Sequence, residues 1–172
     1  MRAGKVRYVG ISNHTAWQVA EAVGITERHT WAPIVASQDR YNILDRSVEA
    51  EKIPALEHLG LSLVPYSPLM SSLLTGKYRR GETPAPDTRF GRSPRGAAAF
   101  ARVGTPEVFA KLDGWRAFAE ERGHTMAELA IAWLLAHPVV CSVIAGAVGP
   151  EQVEANAKAV EWRLTLDEVK DL

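Results

Sequence analysis

A chain of 172 residues fits one ordinary domain, or a large piece of a bigger one, and at 47% hydrophobic it can bury a core. Twenty basic residues balance twenty acidic ones, so no global charge draws it to nucleic acid or to an anionic membrane. No apolar run approaches the roughly 20 residues of a membrane span, MRAGKVRYVG at the start lacks the apolar core of a signal peptide, and the lone Cys141 excludes an internal disulfide, all of which favours a reducing, cytoplasmic setting.

The first predicted element is VRYVGIS, residues 6–12, a short β-rich run bounded by turn residues. TAWQVAEAVG follows with Ala16, Val19, Ala20 and Val23 at helical spacing and Gly24 as a stop. PIVASQ, residues 33–38, is a second strand. A helix is predicted over residues 47–59, closed by Gly60 and kinked by Pro54. LSLVPYSPL gives a third strand ending near Tyr66, although Pro65 is a poor sheet residue and is tolerated here only because it sits near the end.

From residue 70 to 104 the pattern breaks into one short helix and a long loop rich in Gly, Pro and Arg, and a loop of that length is usually functional or disordered. Helical periodicity returns in TPEVFAKLDGWRAFAEERG and in TMAELAIAWLLAHP, the second apolar nearly all round and so expected to be buried. VVCSVI, residues 139–144, is the predicted fourth strand, with Cys141 a buried, inert thiol. GPEQVEANAKAV is the helix after it, and TLDEVKDL opens a last one. The first three strands end at positions 12, 38 and 66, spaced 26 and 28 residues apart, which is βαβ spacing. The expected fold class is therefore α/β, with four parallel strands each followed by a helix.

The strand ends GISN, SQDRYN, PYSPLMSSLLTGKY and SVIAGAVGPEQVEAN together resemble those of the aldo-keto reductase family, in order and over essentially the whole chain. The resemblance implies a (β/α)8 TIM barrel binding NADPH, with NADH possible, at the C-terminal ends of its strands. It places GKVRYVGISN at the fifth strand, so that residues 1–172 look like the C-terminal half of the barrel, strands five to eight, with residues 76–104 a long cofactor-side loop. The family's catalytic Asp, Tyr, Lys and His belong to the other half. None of Tyr8, Tyr41, Tyr66 and Tyr78 matches the catalytic tyrosine, so no catalytic residue is assigned.

The site residues follow from the same resemblance. Ser12, Asn13 and Gln38 would hold the nicotinamide carboxamide, whose one acceptor and two donors suit Asn and Gln side chains; the plain alternative is a helix-capping Asn and a Gln bonded to loop backbone. Tyr66 would stack on the nicotinamide. The stretch SPLMSSLLTGK, with Ser67, Pro68, Leu69 and Ser71 as its cofactor-binding residues, would bring backbone N–H groups and hydroxyls from its non-proline residues to the pyrophosphate; here Ser71 and Ser72 stand where the family usually has small Gly-rich residues. Lys77 is the favoured cation of a loop carrying six cations against two carboxylates, a net +4, the other arginines being expected as solvated.

Gly146, Ala147 and Gln152 would stand at the 2′-phosphate end of the cofactor, at a helix start, and Asn156 matches the family's adenine-side Asn; the plain alternative for Gln152 and Asn156 is an exposed helix face. No cation lies between residues 146 and 152, so the resemblance predicts weak NADPH-over-NADH preference. The five histidines are scattered and no Walker loop, Gly-x-Ser-x-Gly elbow or His-Glu-x-x-His occurs, so no metal site is expected. The function expected is the cofactor-binding half of an NAD(P)H-dependent oxidoreductase that reduces aldehydes or ketones, inactive alone. The alternatives are a non-catalytic dinucleotide-binding or interaction module, or a truncated gene product. Open sheet edges at the first and fourth strands also predict a homodimer.

Overall fold

Side chains alternate across a strand, so a strand covered on one face buries every second residue. In the computed structural model, which describes Met1 and residues 3–172, β3 (Ser62–Tyr66) and the C-terminal part of β2 (Ile34–Arg40) obey this rule, whereas β1 (Val9–Ser12) buries no residue fully. Ser37, Asp39, Leu63 and Pro65 point to the covered face and are buried, while Gly10, Ser12 and Gln38 on the other face are exposed. The three strands form one parallel sheet in the order β1-β2-β3.

The chain divides into two compact units, Met1–Pro68 with Leu134–Gly146, and Leu69–Trp133 with Ala147–Leu172. The first holds the sheet with helices α1 (Ala16–Arg28) and α2 (Lys52–His58). Val19 of α1, Leu56 of α2 and Leu63 of β3 are fully buried, each stabilising the fold by about 1.5–3 kcal/mol relative to an exposed side chain. Trp17 and Trp31, by contrast, lie 65% and 54% exposed.

Four expectations for this unit need correction. Helix α1 does not stop at Gly24 but runs four residues further, to Arg28; a helical glycine costs about 1 kcal/mol and does not by itself break the ladder. Helix α2 begins at Lys52, not at residue 47, so Pro54 falls in its first turn, where its missing N–H has no intrahelical partner to lose, and no kink is needed. The third correction is that residues 139–144 are not a strand, so the sheet has three strands rather than four and no barrel is formed. This segment does run parallel beside β3, bridging at Leu63↔Val140 and Tyr66↔Ile144. Leu63 donates to Val139 O (2.7 Å) and accepts from Cys141 N (3.2 Å) as a regular ladder requires. Pro65 has no N–H to send across next, and its carbonyl is met one residue late, by Ile144 N at 2.9 Å. The proline thus interrupts its neighbour's ladder rather than its own strand. Fourth, Cys141 is exposed, because the interrupted segment is not covered as a central strand would be.

The second unit is helical: α3 (Pro94–Val103), α4 (Pro106–Glu121), α5 (Met126–Leu135, whose last two residues fall in the first unit), α6 (Pro150–Lys158) and α7 (Leu166–Asp171), with 3-10 turns at Leu73–Thr75 and Ala159–Glu161. Helix α5 is buried nearly all round, as its composition predicts, with Trp133 fully covered. The segment read as one long loop over residues 76–104 carries α3, started by Ser93, whose hydroxyl accepts from Gly96 N at 3.1 Å with Pro94 next in sequence. Tyr78, Phe90 and Phe100 pack with ring centroids 5.3–5.5 Å apart, and Phe100 meets Phe109 of α4 at 6.2 Å. This aromatic cluster pins the segment, so its arginines project from an ordered structure. The C-terminal helix is fastened by Arg122–Glu168 (3.2 Å) and by indole N–H bonds from Trp115 to Leu172 O and from Trp133 to Val169 O. Among the described residues no helix is long and apolar enough to cross a membrane.

Candidate functional site

The open face of the sheet carries a cavity of about 330 Å³ lined by Gly10, Ile11, Ser12, Ala36, Gln38 and Val64. Gly10 is there because β1 comes close to β2: a Cβ on it would lie 3.0 Å from Ala36 O, beside an irregularity in the register between Val9 and Gly10. At the C-terminal end of β1 the chain turns sharply. Asn13 has a left-handed backbone, φ 58°, which Asn tolerates better than most residues. Its N–H donates to Gln38 O (3.2 Å), and the Ser12 hydroxyl donates to the same carbonyl (2.8 Å).

These bonds bring three predicted residues into one chain. Asn13 Nδ2 donates to Ser12 Oγ at 2.9 Å, and the Tyr66 hydroxyl donates to Asn13 Oδ1 at 2.9 Å. Gln38 stands beside them in register with Ser12 and Val64, and its side-chain amide has no hydrogen bond within the protein among the described residues. That amide keeps both donors and its acceptor for whatever enters the cavity, which is the donor set a carboxamide requires. The observed geometry therefore leaves one uncommitted amide beside a bonded Ser–Asn–Tyr set at this strand end.

Ser67 follows Tyr66 with φ 59°, and Pro68 behind it is buried; Gly146, also in the first unit, is exposed. The remaining predicted residues belong to the second unit. Leu69 and Ser71 are half-buried, and Met70, Ser71 and Ser72 form a run of left-handed backbone with φ of 43°, 55° and 69°. The Tyr78 hydroxyl is 3.4 Å from Ser71 O. Lys77 and Ala147 are exposed. Gln152 Oε1 accepts from Val148 N at 3.0 Å, so it ties off the start of α6, and Asn156 is half-buried one turn further on.

The Aldo/keto reductase family profile matches residues 1–172. The chain belongs to this family. It is 39% identical over 155 residues to a probable voltage-gated potassium channel subunit beta of Arabidopsis thaliana, a match covering 90% of this chain and 47% of that protein. It is 31% identical over 173 residues to protein tas of Escherichia coli (strain K12), covering 99% and 48%, and 29% identical over 172 residues to versiconal hemiacetal acetate reductase of Aspergillus parasiticus, covering 100% and 49%. The chain spans about half the length of the curated relatives it matches.

Within this aldo-keto reductase chain the tyrosines are differently employed. Tyr41 is fully buried, and burial pushes its phenol well above the ordinary tyrosine range; Glu49, whose carboxylate accepts a hydrogen bond from the hydroxyl at 2.7 Å, adds to the effect. His137 Nε2 lies 3.0 Å from the same hydroxyl. Tyr41 is therefore a packing tyrosine. Sequence reading missed Asn42, which is fully buried: its Oδ1 accepts from Leu44 N and Asp45 N, and its Nδ2 donates to Ser67 O at 3.1 Å. Asn42 thus fixes the left-handed Ser67. An Asn just past a strand, able to accept from the backbone N–H two residues on, is the sequence cue for such a turn. Among the described residues no group of three or more His, Cys, Asp or Glu is placed to hold a metal ion.

The left-handed serines give a direct test of local strain. A non-glycine residue there costs about 1–2 kcal/mol, which glycine avoids while losing more entropy on folding. Ser71→Gly and Ser72→Gly are each expected to raise stability by up to about 1 kcal/mol in urea unfolding; a loss of stability in both would show that the hydroxyls outweigh the strain.

Proposed function

We propose that this chain is the cofactor-binding half of an NAD(P)H-dependent aldo-keto reductase that reduces aldehydes or ketones to alcohols. The observation that carries it is the bonded set Ser12–Asn13–Tyr66 with the unbonded Gln38 amide at the mouth of the sheet-face cavity. The family match over residues 1–172 and the relatives named as oxidoreductase or reductase support it. When bound, the dinucleotide supplies hydride. Asn13 and Gln38 hold its carboxamide, Ser12 orients Asn13, and Tyr66 faces the nicotinamide. Ser67, Pro68, Leu69, Ser71 and Lys77 serve the pyrophosphate, and Gly146, Ala147, Gln152 and Asn156 the adenine side. The single cysteine and balanced charge fit a cytoplasmic protein.

Fluorescence or calorimetric titration tests this. NADPH is expected to bind, with NADH weaker by no more than about tenfold, because the stretch from 146 to 152 offers no cation. Asn13→Ala, Gln38→Ala and Tyr66→Ala should each weaken binding, the first two by about tenfold, as loss of a hydrogen bond of about 1.4 kcal/mol would. Unchanged affinity in all three, or a hundredfold preference for NADPH, would count against the reading.

The 39% identity to a potassium channel beta subunit supports a second reading, a dinucleotide-binding module that acts through a protein partner. Binding of NADPH without turnover, even when a complementary half is supplied, would favour it. Either way β1 pairs only with β2 in the described sheet, and Val9 is 37% and Tyr8 71% exposed beside it. Such an edge invites another strand. The isolated chain is expected to sediment as a homodimer or to aggregate, and to be rescued by co-expression with a complementary half. A monomer with slow hydrogen exchange in β1 would refute this.

A further inference from the structure

Behind the sheet, on its covered face, lies an ion pair that the cofactor reading does not use. Lys52 Nζ is 3.0 Å from Asp39 Oδ1, and their side chains are only 8% and 5% exposed. The Ser37 hydroxyl donates to the other carboxylate oxygen at 2.5 Å, and Lys52 also donates to the backbone carbonyl of His14. Burying two charges carries a desolvation cost that their attraction repays only with good geometry and further hydrogen bonds, so a buried pair is weak evidence of stability for its own sake. Here the lysine's second bond lands one residue past Asn13. The turn is thus held on both sides of Asn13: Ser12 and the Asn13 N–H are bonded to Gln38 O, and the His14 carbonyl is bonded to Lys52. Between those two anchors Asn13 keeps its left-handed backbone, and its amide points at Ser12 and Tyr66.

The geometry points to Lys52, oriented by Asp39, as a positioning residue that acts through the His14 backbone to hold the Asn13 amide for a carboxamide ligand. The ligand part rests on the function proposed above; the positioning part concerns the free protein. Lys52→Met alone leaves Asp39 buried and unpaired and is expected to lower stability, so the decisive variant is Asp39→Leu with Lys52→Met, which removes both charges while keeping apolar bulk. Lys52→Arg serves as the conservative variant.

Two readouts separate positioning from mere packing. In the unliganded protein, the NMR signals of the Asn13 side-chain amide should move to those of a solvent-exposed asparagine in the double variant, while the amide signals of β3 stay in place, and the single variant Lys52→Arg, which keeps the ion pair, should leave the Asn13 signals as in the parent. By titration, the double variant should bind NADPH about tenfold more weakly yet bind the nicotinamide-free 2′-phospho-ADP-ribose as the parent does. An unmoved Asn13 amide in a folded double variant would overturn the positioning role. Equal weakening for both ligands would also overturn it, since the effect would then be general destabilisation. If the parent chain binds no NADPH while the Asn13 amide moves as expected, the positioning of Asn13 stands and the carboxamide reading falls.

Discussion

Purified alone, the 172-residue chain will fail to reduce standard aldehydes with NADPH above background. On the proposed reading no residue here fills the family's Asp, Tyr, Lys or His position, and positioned acid–base groups contribute about 10² to 10⁴-fold in rate. The tyrosines in hand do not replace them. Tyr41 is buried against Glu49, the Tyr66 hydroxyl donates a hydrogen bond to Asn13 Oδ1, and the Tyr78 hydroxyl lies 3.4 Å from the Ser71 carbonyl. Loss of NADPH absorbance with time is the check. Mixing with a complementary half that carries the acid–base residues should restore turnover. Robust activity of the chain alone, abolished by substituting one of its own residues, would show that it holds a catalytic group of its own.

Gly91→Ala should unfold the segment that α3 closes. A Cβ on Gly91 would lie 2.0 Å from Ala85 O, 2.5 Å from Pro84 O and 2.6 Å from Ala85 C, all backbone atoms that cannot swing aside. Overpacking usually costs about 1–3 kcal/mol, and a clash with rigid backbone belongs at or above the top of that range. The expected result is a loss of about 3 kcal/mol in urea unfolding, with faster proteolysis after Arg89 and Arg92. Gly114→Ala is the control: it sits inside α4 with nothing within 4 Å of its added methyl, so it should gain about 0.5–1 kcal/mol. Wild-type stability in Gly91→Ala would mean the loop path tolerates displacement and is not fixed by close backbone packing.

What could be read in advance was what periodicity carries. Strand spacing placed Ser12, Gln38 and Tyr66 at neighbouring strand ends, and the structure joins Ser12 and Tyr66 through Asn13. Composition misled where local cues competed. Arginine, proline and glycine around α3 concealed a Ser-Pro helix start followed by three alanines, and Gly24 looked like a stop although the turn after it is still helical. Pro65 was weighed against its own strand, whereas its effect falls on the segment alongside, a consequence visible only once the partner is known. Asn42–Ser67 and Lys52–Asp39 were out of reach for the same reason, since their partners lie 25 and 13 residues away and meet only through the fold.

The distribution of indoles has a practical consequence. Trp17 and Trp31 of the first unit face water, while in the second Trp115 and Trp133 are 8% and 0% exposed and Trp162, the fifth indole, is half-buried and stacked on His124. Water-facing indoles emit at longer wavelength than those in apolar surroundings, so the red side of the native emission belongs mainly to the sheet unit and the blue side mainly to the helical one. A denaturation followed at both edges would therefore report two colours from one unlabelled protein. Coincident curves would mark a single cooperative block, and separated curves would reveal which unit lets go first.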